Sequence, residues 1–452
     1  MKKGSIIRGK IEETRFPNVG IIFNEKPIEV KGVIKGQEVE VRITKNREKT
    51  AKAELQNIIK DSYIEKEQSK CKNFGNCGGC FYQKVSYEDE LNIKREHVAK
   101  LLLKYSIDIE EIIPSPENLE YRNKMELSFG DEYKDGPTVL GLHKKKSKYD
   151  ILDIDDCVLM TDDFRIIREK TINYFREKGI PYYHKVTHKG YLRYLLLRRS
   201  EKNKEILVNI VTSSQLDFEF NEYIDLLKNL DTDSKIVGIL HTVTDTLADA
   251  IKDYSVNILY GRDYITENLF DLEFNISPFS FFQTNTLGAE KLYSKVIDFI
   301  GDINNKVIFD LYSGTGTIAQ VLAKSAKKVI GIEIIEEAVE AAKLNAKING
   351  INNCKFIAGD VLKEIDNIDE IPDCIVLDPP REGIHPKAIG KIIEYGANEI
   401  VYVSCKPTSL VNDLDEFIKG GYKIKRVACV DMFPMTTHVE SVVLMSKVAP
   451  HE

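Results

Sequence analysis

The 452-residue chain has no apolar run near the roughly 18 residues that a membrane helix needs. Its start, MKKGSIIRGKIEETR, has two lysines but no apolar stretch behind them, so it does not read as a secretory signal. The expectation is a cytoplasmic protein with no membrane partner. Internal repeats and low-complexity tracts are absent too, which leaves ordinary folded domains, about two to four at this length. Residues 1–60 lack aspartate altogether. They hold 14 Lys+Arg against 8 Glu, a local charge of +6 in a chain of formal net charge −7. A basic module on an acidic body suits a selective contact with RNA better than general coating of DNA, although a charge run is often only a solvated face. Two further basic runs, HKKKSKY (143–149) and HKVTHKGYLRYLLLRR (184–199), extend the expectation, with Arg193, Arg198 and Arg199 as added RNA contacts.

What is present is strand-rich at one end and regular at the other. Residues 1–60 read as five short strands separated by turn residues, which suggests a small barrel of the OB type. Residues 86–105 have helical spacing. From about 115 to 270 the chain mixes strands and helices without a strong signature. From about 305, strands alternate with helices: KVIFDLY, KKVIGIEI, CKFIAGD, DCIVLDPP and VYVSC each precede a helical stretch. That alternation predicts an α/β fold with a parallel, doubly wound sheet. The last two strands, YKIKRVACVDMF and ESVVLMSKV, have no helix between them and predict an antiparallel pair on that sheet. The expected domains are 1–60, 61–270 and 271–452.

In doubly wound sheets, ligands sit beyond the C-terminal ends of the strands. The first strand runs into FDLYSGTGTIA (309–319), where Gly314 and Gly316 permit a tight turn and close approach of a ligand. No G-x-G-x-x-G and no Walker lysine follow, so the usual devices for gripping a pyrophosphate are missing. Glu333 ends the second strand, 19 residues after Gly314, where an acid takes ribose hydroxyls. Asp360 ends the third and Asp378 the fourth, in a rigid Asp-Pro-Pro turn. An adenosine cofactor without phosphates fits this set, and S-adenosylmethionine is the candidate. A lone G-x-G is also compatible with a helix start that merely packs tightly. Arg381, after the two prolines, argues against an adenine amino group as methyl acceptor.

Cys405 ends the fifth strand, on the same sheet edge. Lys406 and the following helix N-terminus are expected to favour its thiolate. Cys354, Cys374 and Cys429 lie inside strands and read as core. A thiolate here makes sense if the acceptor is carbon 5 of a pyrimidine. That carbon becomes nucleophilic only after addition at carbon 6, and a base must then remove its proton.

SPFSFFQTN (277–285), FDLYSGTGTIA, VLDPPREG (376–383), YVSCKP (402–407) and MFPMTTHVESVVLM (432–445) together resemble the bacterial RNA uracil-5-methyltransferases. The resemblance implies a Rossmann-like class I methyltransferase domain, with Cys405 as nucleophile and Glu440 as base. It implies cofactor contacts from Gln283, Tyr312, Glu333 and Asp378, and leaves His438 unassigned. The N-terminal barrel resembles, more loosely, a TRAM domain. CKNFGNCGGC supplies Cys71, Cys77 and Cys80, and Cys157 is the candidate fourth ligand. Spacing alone leaves zinc and a [4Fe–4S] cluster open; the resemblance implies the cluster.

The expected activity is methylation of a uridine in RNA by a monomer. The barrel and cluster look more like enzymes of ribosomal RNA, 23S in particular, with transfer RNA second. A catalytically silent RNA-binding assembly factor is the competing class, and the presence of both Cys405 and Glu440 argues against it. A radical S-adenosylmethionine enzyme would carry C-x3-C-x2-C, which is absent.

Overall fold

The computed structural model describes residues 1–247, 251 and 254–448. Strands β1 (Ile6–Lys10), β2 (Glu13–Arg15), β3 (Val19–Ile22), β4 (Ile28–Lys31), β5 (Glu38–Asn46) and β6 (Ala51–Lys60) form one sheet in the order β1-β5-β6-β4-β3-β2. Alternation drives it: Val39, Val41 and Ile43 of β5 all point into a core with Ile22, Ile28 and Val30. Each such side chain contributes about 1.5–3 kcal/mol on full burial. Many of the basic residues here pair with the sheet's own glutamates, such as Arg8 with Glu40 (3.0 Å) and Arg42 with Glu54 (2.9 Å). Lys10, Lys31 and Lys35 are exposed.

Helix α1 (Tyr87–Leu102) starts at Ser86, whose hydroxyl accepts the Asp89 amide (3.2 Å), and acids fill its first turn. Its Val98 and Leu102 pack on the C-terminal sheet, while His97 and Lys100 reach Thr14 (3.0 and 2.9 Å) and so dock the N-terminal sheet. A two-residue strand, β7 (Ile112–Ile113), then joins the edge of the C-terminal sheet.

The central sheet uses β8 (Lys124–Asp131), β9 (Thr138–His143), β10 (Ile151–Asp153), β11 (Leu192–Arg199), β12 (Glu205–Thr212), β13 (Lys235–Thr244) and β14 (Tyr254–Gly261), in the order β10-β9-β8-β11-β12-β13-β14. Helices α2 (Asp162–Glu177) and α3 (Asn221–Lys228) pack with it. Every residue of β11 is buried, which corrects one expectation. Arg193, Arg198 and Arg199 are 5, 2 and 8% exposed and do not form an RNA surface. Their charge is spent inside: Arg193 donates to the Thr244 carbonyl (2.8 Å), Arg198 to Pro278 (3.0 Å) and Arg199 to Glu201 (2.6 Å). A buried guanidinium must find such partners.

A hairpin, β15 (Ile265–Leu269) and β16 (Leu272–Ile276), leads into α4 (Thr286–Ile300), capped by Asn285. The alternating segment follows: β17 (Val307–Leu311), α5 (Thr317–Ala323), β18 (Lys328–Glu333), α6 (Glu336–Ile348), β19 (Cys354–Ala358), α7 (Val361–Glu364), β20 (Cys374–Leu377), α8 (Pro386–Tyr395), β21 (Glu399–Ser404) and α9 (Pro407–Lys419). β22 (Tyr422–Val430) and β23 (Glu440–Lys447) close the sheet, ordered β19-β18-β17-β20-β21-β23-β22-β7. β17 to β21 are parallel, and β23 runs antiparallel between β21 and β22. This order, with apolar cores on both faces, is a class I methyltransferase domain. Among the described residues no helix is long and apolar enough to cross a membrane.

Candidate active site

The turn from β17 into α5 is shaped by three residues with left-handed backbone, Tyr312 (φ 68°), Gly314 (φ 54°) and Gly316 (φ 71°). At Gly316 the need for glycine is steric as well: a Cβ would lie 2.5 Å from a Phe356 ring carbon. The amides of Tyr312 and Ser313 both donate to the Ile332 carbonyl (2.9 and 3.0 Å), which pins the turn to β18. Glu333 is fixed at both oxygens, by the Gly314 amide and the Ile335 amide (each 3.0 Å). Asp360 caps α7 through the Leu362 amide (3.0 Å).

Tyr312, Ser313, Gly314, Glu333 and Asp360 line one cavity of about 1810 Å³. Gln283, Tyr312, Gly314, Glu333, Asp360 and Asp378 lie in its wall, and so do Cys405 and Glu440. All the residues assigned from sequence to cofactor and catalysis are therefore brought together, from the ends of five parallel strands, the start of β23 and the loop before α4.

Buried carboxyls make the floor of the cavity acidic. Burial pushes Asp378 up to about 7. Burial, then the charges of Asp378 and Glu333, pushes Asp310 up to about 8. Glu440 is pushed to about 8 by burial and by Asp378, with Arg381 opposing. Cys405 is pushed to about 11 by burial, Glu440 and Asp378, again with Arg381 opposing. The cation that acts on the thiol is thus Arg381 rather than the expected Lys406, whose side chain is exposed at the cap of α9. Arg381, Arg122, Asp310, Phe433 and His438 are wall residues that sequence reasoning did not place. For Arg381 the signal was present, since it follows the Asp-Pro-Pro turn directly. Burial, aided by Arg381, Lys94 and Arg122, pushes His438 down to about 4, so it is a neutral ring near pH 7.

The cysteine motif folds elsewhere. Cys77 and Cys80 pack against the core that contains Cys157. The Gly79 amide donates to the Cys77 sulfur (3.3 Å), as the paired glycines of the motif allow. Cys80 is pushed up to about 12 by burial and by the neighbouring charges of Cys157 and Cys77, and Cys71 to about 11 by burial and by Asp156 and Cys157. The four thiols share one locality. Among the described residues, however, no three His, Cys, Asp or Glu side chains converge as a metal-binding group.

Residues 86–448 match the family model described as tRNA (Uracil-5-)-methyltransferase. An RNA methyltransferase of Clostridium tetani is 48% identical over 98% of both chains, and one of Clostridium acetobutylicum 49% over 99% of both. The crystal structure of Pyrococcus abyssi tRNA (uracil-54, C5)-methyltransferase in complex with S-adenosyl-L-homocysteine superposes with a TM-score of 0.77 at 28% identity, covering 97% of this chain and 100% of that one. Because the family model spans most of the chain and relatives 48 and 49% identical to it align along nearly its whole length, the chain belongs to the tRNA (uracil-5-)-methyltransferase family.

Proposed function

We propose that this enzyme methylates carbon 5 of a uridine in RNA through a covalent Cys405–uracil adduct, with S-adenosylmethionine as methyl donor. What supports the reading is that Cys405 and Glu440 line the same cavity as the glycine turn and Glu333. The cavity residues fit the donor: Glu333 has the position for a ribose diol, and Asp310 and Asp378 are buried carboxyls suited to face a cation. When bound, S-adenosylmethionine supplies an electrophilic sulfonium methyl group. Gln283, Tyr312, Gly314, Glu333, Asp360 and Asp378 hold it. Cys405 adds as thiolate to carbon 6 of the uracil, which makes carbon 5 an enolate-type nucleophile. After carbon 5 has gained its methyl group, Glu440 in its ionised form, the minor one below about pH 8, accepts the carbon-5 proton, the carbon 6–sulfur bond breaks and the thiolate leaves. The target must be single-stranded or flipped out to reach this depth.

The reading assigns 1–60 to an RNA-binding barrel of OB or TRAM type, 61–270 to a central unit and 271–452 to the methyltransferase, acting as a cytoplasmic monomer. Cys71, Cys77, Cys80 and Cys157 would hold a [4Fe–4S] cluster on the strength of an all-thiol donor set, but only if the four thiols draw closer than they stand in this structure, where, among the described residues, no three converge; its contribution would be to fix the segment, since methyl transfer moves no net electrons. Iron and sulfide near four per chain in anaerobically purified protein check this. For the substrate we favour 23S ribosomal RNA, because barrel and cysteine motif occur together. Transfer RNA is the second reading, favoured by the substrate named for the Pyrococcus abyssi enzyme. Mapping 5-methyluridine in both RNAs from a deletion strain separates them. For the chemistry, Cys405→Ala should transfer no methyl group, and wild-type protein should form a stable adduct with 5-fluorouridine RNA. Methylation by Cys405→Ala would end the proposal.

A further inference from the structure

The loop between β22 and β23, residues 431–439, brings Phe433 and His438 into the cavity wall and delivers Glu440 at the first position of β23. It is irregular, and Met435 has a left-handed backbone (φ 67°). Something outside the loop must hold it. On one side stands Lys94 of α1, 1% exposed, with Glu90 and Asp431 both 0% exposed. The ammonium uses all three of its donors here: to Glu90 Oε1 (2.6 Å), to Asp431 Oδ1 (2.8 Å) and to the Phe433 carbonyl (3.2 Å). The same two carboxylate oxygens accept loop amides, Glu90 from Met435 (2.8 Å) and Asp431 from Phe433 (3.2 Å). On the other side the Met435 carbonyl accepts the amides of Phe81 (2.6 Å) and Tyr82 (3.1 Å), the residues that follow Cys80.

A buried ion triad is a poor route to stability, because desolvation offsets most of the attraction. What it supplies is direction. Five charge-assisted hydrogen bonds meet at one ammonium and two carboxylates, and three of them end on the backbone of the loop that carries the base.

We infer that Lys94, acting through Glu90 and Asp431, is a positioning residue that sets Glu440 for removal of the carbon-5 proton. The inference rests on the proposed function, since it takes Glu440 as the base. Lys94 touches no reacting atom. Its loss leaves the strand ends that form the donor pocket in place and lets the 431–439 loop wander, so proton removal slows while addition and methyl transfer continue. Methylated covalent adduct then accumulates.

The test uses full-length protein, methyl-labelled S-adenosylmethionine, and ribosomal RNA and transfer RNA from a strain that lacks this gene. Lys94→Met should lower kcat at least tenfold and raise the labelled RNA–protein band on denaturing gels at least fivefold. S-adenosylhomocysteine affinity, measured by calorimetry, should stay within twofold. Because Lys94→Met leaves two buried carboxyls facing each other, a neutral triple variant, Glu90→Gln with Lys94→Met and Asp431→Asn, keeps acceptors for both loop amides and should give the same band. A wild-type adduct fraction in a variant that binds S-adenosylhomocysteine overturns the inference. So does loss of that binding in both variants, which would make the triad a general structural support. Controls separate the two levels: if wild-type protein forms no 5-fluorouridine adduct, the covalent route through Cys405 fails, and if Glu440→Gln shows no labelled band, the base assignment fails, in either case rather than the role of Lys94.

Discussion

The thiol of Cys405 and the carboxyl of Glu440 are linked by charge, and the link makes a prediction that needs no RNA. With Cys405 at about 11, roughly one molecule in a thousand carries the thiolate at pH 8. Alkylation by iodoacetamide, followed on the Cys405 peptide by mass spectrometry, should therefore rise from pH 7 to about 10 without a plateau, by less than tenfold per unit in the wild type because Glu440 ionises over the same range and opposes the thiolate. Glu440→Gln changes this in only part of the range. Below about pH 8 the carboxyl of Glu440 is mostly protonated, so variant and wild type should react alike. Above it, the wild-type carboxylate opposes the thiolate and the amide does not. A like charge in close range is worth about 1–3 pKa units, so at pH 9.5 the variant should react about tenfold faster or more. Arg381→Gln should slow the reaction, because that guanidinium favours the thiolate. A wild-type plateau below pH 9 would refute the reasoning. So would an effect of Glu440→Gln that is equal at pH 7 and pH 9.5.

Gly316→Ala should lower the unfolding free energy by about 1–2 kcal/mol for its left-handed backbone and by about 1–3 kcal/mol more for the crowding against Phe356, read by denaturant titration. Replacing Lys31, Lys144 and Lys145 with Gln should weaken RNA binding and flatten the log–log salt slope by about 0.7–0.9 for each phosphate no longer neutralised, with cofactor affinity unchanged. All three are exposed, and Lys145 approaches Gly32 beside Lys31. An unchanged slope would remove this face from the RNA path. S-adenosylmethionine, a cation at sulfur, should release more protons on binding at pH 7.5 than neutral S-adenosylhomocysteine, because a positive charge brings the raised carboxyls of Asp310 and Asp378 back down. Calorimetry in buffers of different ionisation enthalpy reads the difference, which should vanish at pH 9, where both carboxyls are already ionised.

The C-terminal sheet was legible because of how parallel strands are buried. VIFDL, KVIGIE, CIVL and EIVYVS are covered on both faces, so they appear as short apolar runs between helices, each ending at a turn. Function followed from the same fact, since Gly314, Glu333, Asp378 and Cys405 all come at strand ends. Helix α4 went unread, although Asn285 caps it and its apolar residues are spaced for one buried face. β7 could not be read at all: two residues carry no period, and their pairing with β22 depends on a partner more than 300 residues away.

Charge was the harder quantity to read, because sequence gives its amount and not its direction. LRYLLLRR looked like a basic surface, yet β11 is covered on both sides and its arginines turn inward to carbonyls and carboxylates. Lys406 adjoins Cys405 in the chain, but its side chain is exposed, and the cation felt by the thiol comes from Arg381 after the neighbouring strand. Lys94 sat unnoticed in an ordinary amphipathic helix, because its partner Asp431 lies 337 residues on. In each case local sequence gave the residue type and tertiary packing chose the partner. That is why candidate residues for the chemistry could be named from motifs, while the groups placed around them could be found only from the fold.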